Sequence, residues 1–163
     1  MKRTKPVSAS KTILSMQMLP VDANPMGNVH GGTILKLVDT SAAVAALRHA
    51  RTNIVSASID RMDFYRPVYV GDLLILKACV NYVGRTSIEV GVRIEAENLK
   101  TGKVTHTGSS YVTYVALDEK GKPTPVPQAI PRTPDEKRRW REGKERREQR
   151  LKERARRSDK RKS

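Results

Sequence analysis

A chain of 163 residues can fold as one domain around its own core, but 37% hydrophobic against 30% charged content means that part of it adds little to that core. The net charge of +15 is uneven: from Pro134 onwards 15 Lys/Arg stand against 7 Asp/Glu. A single cysteine, Cys79, excludes an internal disulfide and a cysteine-rich metal site, and no run approaches the roughly 18 apolar residues that span a bilayer, so a soluble, cytoplasmic protein is expected.

In chain order, residues 1–10 read as a flexible polar arm. Thr12 to Leu19 alternates with the period of a strand and stops at Pro20. Val21 to Gly32, rich in Asp, Asn, Pro and Gly, reads as a long polar loop. Ile34, Leu37, Val38, Ala42, Ala45 and Ala46 then recur at spacings of three and four, the core stripe of a helix ending near His49. Four strands follow, near Ile54–Phe64, Leu73–Val83, Thr86–Asn98 and Val104–Leu117, joined mainly by short turns. Antiparallel strands with one long buried helix form an α+β architecture in which the sheet curls around the helix, residues 11–120 making the domain. The exposed edge strand such a sheet leaves is expected to be covered by a second copy. Residues 121–134 read as a proline-rich linker, and 135–163 as a basic tail, helical or disordered, with no usable apolar stripe.

Chemistry is expected at two places on the helix. Gly31 and Gly32 fall where the first amides of a helix are unpaired, a setting that suits a phosphate or an oxygen gaining negative charge, or equally a tight entry turn. Asp39 sits seven residues beyond Gly32, about 10 Å along the axis. In mid-helix it is either turned to solvent or part of a site. One helix cannot bring that carboxylate within the roughly 3 Å that general-base catalysis needs of a carbonyl at its own N-terminus. Two antiparallel copies can, with Asn28 and the glycine amides of one facing Asp39 of the other. His30 reads as a loop-shaping residue, His49 as a helix-end cation and His106 as structural; their spacing suits no metal.

The run Asp22 to Asp39 (DANPMGNVHGGTILKLVD) strongly resembles the hotdog-fold acyl-CoA thioesterases, in particular the acyl-CoA hydrolases that include the cytosolic long-chain and brain-type enzymes. Asn53 to Ser58, Pro67 to Asp72 and the turn Val83 to Ser87 extend the resemblance over about Thr12–Leu117. It implies hydrolysis of acyl-CoA to free CoA and a fatty acid without a cofactor, in a hotdog homodimer often assembled further into a trimer of dimers. It also implies Asp39 as general base or nucleophile, Asn28 as the residue positioning the thioester or water, and the Gly31 and Gly32 amides as carbonyl polarisers. His30, Arg61, Arg66 and the turn residues Gly84, Arg85, Thr86 and Ser87 are the candidates for binding the substrate and the phosphates of CoA; solvated strand-end arginines are the alternative. The usual histidine and carboxylate pairing of hotdog dehydratases is not evident. The basic tail suits nucleic acid or an anionic surface, or simply solubility. A non-hydrolytic acyl-CoA sensor with a nucleic-acid-contacting tail is the competing function.

Overall fold

The fold, seen in a computed structural model that describes residues 3–160, is laid out by the turns and periodicities above. Strand β1 (Thr4–Pro6) is followed by a 3-10 turn at Val7–Ser10, then β2 (Thr12–Gln17) and helix α1 (Gly31–Ala50). Strands β3 (Asn53–Phe64), β4 (Leu73–Val83), β5 (Ser87–Glu97), β6 (Val104–Leu117) and β7 (Gln128–Ile130) precede helix α2 (Pro134–Lys160). Five strands pair antiparallel in the order β2-β4-β5-β6-β3, so β3 forms the long edge. Its strict alternation is broken by two register shifts, between Ser56 and Ser58 and between Ile59 and Arg61, which bend that edge.

Of the stripe read from the sequence, helix α1 buries Ile34, Val38, Ala42, Ala45 and Ala46, and leaves Leu37 partly buried. They pack on the inward rows of the sheet, Leu74 and Leu76 of β4, Ile88 and Val90 of β5, and Val112 and Tyr114 of β6. The alanines keep the helix close to the strands, and Arg51, in the left-handed region at φ 57°, turns the chain out of it. This is the hotdog fold, one long helix held by an antiparallel sheet.

Three segments differ from their sequence reading. Within the expected arm, Thr4, Lys5 and Pro6 pair in parallel with Gln128, Ala129 and Ile130, and Val7 and Ser10 are buried. The proline-rich segment therefore returns to the body instead of leaving it, with Val126 and Ala129 also buried. The tail, as far as it is described, is a helix docked on the outer face of the sheet. Its buried or half-buried stripe is Glu136, Trp140, Gly143, Arg147 and Arg150, helical in period but scarcely apolar. Thr133 and Glu136 form a capping box: the Glu136 amide donates to Thr133 Oγ1 at 3.2 Å, and Glu136 Oε2 accepts the Thr133 amide at 3.3 Å. Gly143 is needed for close approach, because a Cβ there would lie 2.9 Å from Tyr82 Cβ. Trp140 meets Tyr82 edge-on at 5.1 Å. The parts of the arm and tail at 1–2 and 161–163 lie outside the described residues. No described helix is long and apolar enough to cross a membrane.

His49 fastens the end of α1 to the returning segment. Fully buried, it donates from Nε2 to the Pro127 carbonyl at 2.8 Å, while Nδ1 has no partner among the described residues. Burial holds its pKa below the ordinary histidine value; the Pro127 contact opposes this and the Lys5 charge adds to it. The folded protein thus resists a proton that the unfolded chain accepts. Stability is complete above the unfolded value of roughly 6.5 and is lost as pH falls through the lower folded value, by up to about 1.4 kcal/mol per pH unit. Thermal midpoints measured from pH 7.5 to 5 should fall more steeply for the natural chain than for His49→Gln; parallel curves would refute this.

Candidate active site

The loop before α1 is organised by Asn24. Its Oδ1 accepts the amides of Met26 at 2.9 Å and Asn28 at 3.2 Å, and its own amide donates to the Asn28 carbonyl at 2.7 Å. With Oδ1 committed, the Asn24 side-chain NH₂ is oriented and has no acceptor among the described residues. Asn28, expected to carry this role, contributes its backbone to the loop and to a bridge with Tyr69, and its side chain makes no hydrogen bond among the described residues.

The helix entrance differs in a second way. His30 is the N-cap, and its Nδ1 accepts the Gly32 amide at 3.0 Å. His30 therefore shapes the loop by hydrogen bonding, and the Gly32 amide is already satisfied. The Gly31 amide has no acceptor among the described residues, and the Phe64 ring lies 3.5 Å from where a Gly31 side chain would begin. Of the two amides expected to polarise a carbonyl, only that of Gly31 is free.

Two turns further on, Asp39 is half-buried where α1 crosses β6 and β3. Tyr114 donates its hydroxyl to Asp39 Oδ1 at 2.9 Å, and Ser56 donates to the same oxygen at 3.3 Å. Ser56 and Tyr114 are paired across β3 and β6, so the sheet register sets this contact. Burial and the neighbouring Asp39 carboxylate raise the Tyr114 pKa far above the ordinary tyrosine range, so it remains a donor at any physiological pH. Asp39 Oδ2 has no hydrogen-bond partner among the described residues. One oxygen is clamped and the other is free to take a proton or attack. Sequence reasoning missed Tyr114, which lies in no local motif, and gave Ser56 no role although it falls within the matching run Asn53 to Ser58.

The substrate-binding candidates fall into separate places. Arg61 is exposed and ion-paired to Asp63 at 2.7 Å. Arg66 lines a shallow cleft with Tyr69 and Lys103. In the 84–87 turn, the Gly84 amide donates to the Ser87 carbonyl at 2.8 Å. Gly84 and Arg85 line a cleft of about 1120 Å³, while Thr86 and Ser87 line another of about 580 Å³. Neither cleft is lined by Asn24, Gly31 or Asp39.

Residues 26–103 match the thioesterase superfamily model. The chain is 42% identical over 141 residues to protein VdlD of Helicobacter pylori, covering 86% of this chain and 80% of that protein. It superposes on an apo-hexameric acyl-CoA thioesterase with TM-score 0.90 and 45% identity, covering 94% and 98% of the two chains. An acyl-CoA hydrolase of Staphylococcus aureus, solved with butyryl-CoA and CoA, gives TM-score 0.89 and 36% identity over 96% of this chain and 95% of that one. That hydrolase has also been solved with an aspartate, a threonine or an asparagine replaced by alanine; the asparagine lies fifteen positions before the aspartate and the threonine seventeen after it.

Proposed function

The chain belongs to the thioesterase superfamily, and from that premise we propose that it hydrolyses acyl-CoA thioesters to free CoA and a fatty acid at sites shared between two copies. The observation that carries the reading is Asp39, held through Oδ1 by Tyr114 and Ser56 with Oδ2 open. As general base, Asp39 takes a proton from water while the water oxygen attacks the thioester carbonyl carbon, and passes that proton to the leaving sulfur. As nucleophile, it attacks that carbon itself, and water then hydrolyses the acyl–Asp39 anhydride to give the acid and the proton that the CoA thiolate takes up. The oxygen that becomes negative is stabilised by the Gly31 amide and an asparagine NH₂, and the carbon–sulfur bond breaks to release the CoA thiol.

The asparagine in this reading is Asn24 rather than Asn28. Fifteen positions before Asp39 stands Asn24 and seventeen after it stands Ser56, the same spacings as in the S. aureus variants. The fixed Oδ1 of Asn24 supplies a physical reason, because it aims the NH₂ without further ordering. Gly31 and Asp39 lie too far apart on one helix to act together. The outer edge of β3 is unpaired among the described residues and exposes Val55, Ile59 and Phe64, while α1 exposes Val44 and Leu47; this suits a second copy whose helix runs antiparallel. A trimer of such dimers would match the hexameric relative. The proposed setting is the cytoplasm, where a lone thiol such as Cys79 stays reduced.

Release of free thiol from acyl-CoAs of increasing chain length tests the reading directly. Turnover is expected for at least one chain length. Binding without release at every length would instead support the acyl-CoA sensor, with exposed tail residues such as Lys137 and Arg141 left to contact nucleic acid.

A further inference from the structure

We infer that Arg147, on the docked tail helix, is a substrate-binding residue that holds phosphate groups at the nucleotide end of CoA. The inference rests on the acyl-CoA reading above and adds to it a residue outside residues 26–103, which match the family model.

Arg147 is half-buried, yet its guanidinium has neither a hydrogen bond nor an ion pair among the described residues, unlike its neighbours Arg146 and Arg150. Partly desolvating a guanidinium without an acceptor is unfavourable, and the deficit is removed by an anion. Gly84 leaves room for it: a Cβ there would lie 2.8 Å from Arg147 Nε and 2.7 Å from Ser87 Oγ, so a larger residue would displace the guanidinium from its place over the 84–87 turn.

Arg147 is also the residue common to α2 and both clefts beside that turn. The larger cleft is lined as well by Arg3, Arg51 and Arg85, with Asp118 and Glu119 as its acidic members. The smaller one is lined by Thr113, whose hydroxyl is buried and has no hydrogen-bond partner among the described residues. Asp60 and Glu153 also face this second cleft, but Asp60 is neutralised by Arg150. An unpaired guanidinium in a cleft that Arg3, Arg51 and Arg85 also line calls for a ligand that carries several phosphate oxygens on a single molecule. The sheet register places the turn close to the catalytic carboxylate: Ile88 pairs with Tyr114, the donor to Asp39, and Ser87 pairs with the adjacent Val115.

The test compares butyryl-CoA with butyryl-pantetheine, which has the same thioester but no nucleotide. In Arg147→Gln the ratio of kcat/KM for the two substrates is expected to fall about tenfold, the loss of one charge-assisted contact, with the change carried by KM for butyryl-CoA. Arg147→Lys should recover part of the preference. Gly84→Ala, which pushes the guanidinium aside, should lower it in the same direction. The fragment 3′,5′-ADP should compete with butyryl-CoA for the natural protein and far less for Arg147→Gln. An unchanged ratio and unchanged competition in Arg147→Gln would overturn the inference. Failure of the natural protein to hydrolyse either thioester would instead overturn the function on which it rests.

Discussion

Asp39→Ala is expected to lower thioester hydrolysis at least about a hundredfold while the protein still folds and assembles. General-base catalysis by one side chain is worth roughly a hundred- to ten-thousandfold, and a nucleophile more. Folding should survive because the carboxylate is only half-buried and its donors, Tyr114 and Ser56, stay in place through strand pairing. Tyr114 also keeps a second acceptor, the Asp39 main-chain carbonyl, at 3.0 Å. Asn24→Ala should cost about a hundredfold, the usual loss of one donor to a developing oxyanion. Asn28→Ala should stay within a few-fold; the reverse ranking would return the role to Asn28. A dimer formed from one Asn24→Ala chain and one Asp39→Ala chain provides the sharpest arm. It should recover about one working site of the two, since one of its two composite sites is built from intact halves. A mixed dimer as inactive as its parents would mean that each chain carries a complete site.

Glu89→Ala is expected to destabilise the protein by about 3 kcal/mol, lowering the thermal midpoint by roughly 8 °C. The Glu89 side chain is only 1% exposed, and it is the carboxylate on which the tail helix docks. Arg146 Nη2 donates to its Oε1 at 2.7 Å, Arg150 Nη1 to its Oε2 at 3.3 Å and Asn81 Nδ2 to Oε1 at 3.3 Å. Arg146 is further held over the Tyr111 ring, 3.8 Å from its centre. Removing the carboxylate leaves the part-buried Arg146 guanidinium without its carboxylate, while Arg150 keeps Asp60, and the stranded Arg146 dominates the loss. Replacing Glu89 and Arg146 together should cost less than the sum of the single changes, because their contact is counted in both. A Glu89→Ala protein with an unchanged midpoint would show that the tail adds nothing to the fold.

What the sequence made legible follows from the range of the interactions involved. The periodic stripe of α1 and the punctuated strands of the sheet are local patterns, and they appear where expected. Asp39 was legible because a carboxylate among Leu37, Val38 and Ala42 is out of place. Tyr114 was not, since it lies 75 residues away and meets Asp39 only because α1 packs on β6. Asn24 and Asn28 share one polar loop and are chemically alike; what separates them is which oxygen the loop amides bind. The docking of α2 was invisible to any search for apolar periodicity, because its inner stripe is a glutamate, a tryptophan, a glycine and two arginines. Strands β1 and β7 are three residues each and pair across most of the chain, leaving no local signal to read.

Arg150 reaches both Asp60 on β3 and Glu89 on β5, bridging past β6. The edge that would receive a second copy is therefore already set in shape in the lone chain, and association need not spend free energy on ordering it. If the proposed dimer forms, the concentration at which it falls apart should therefore respond to this brace from the far side of the sheet, through a helix that does not touch the Asp39 carboxylate.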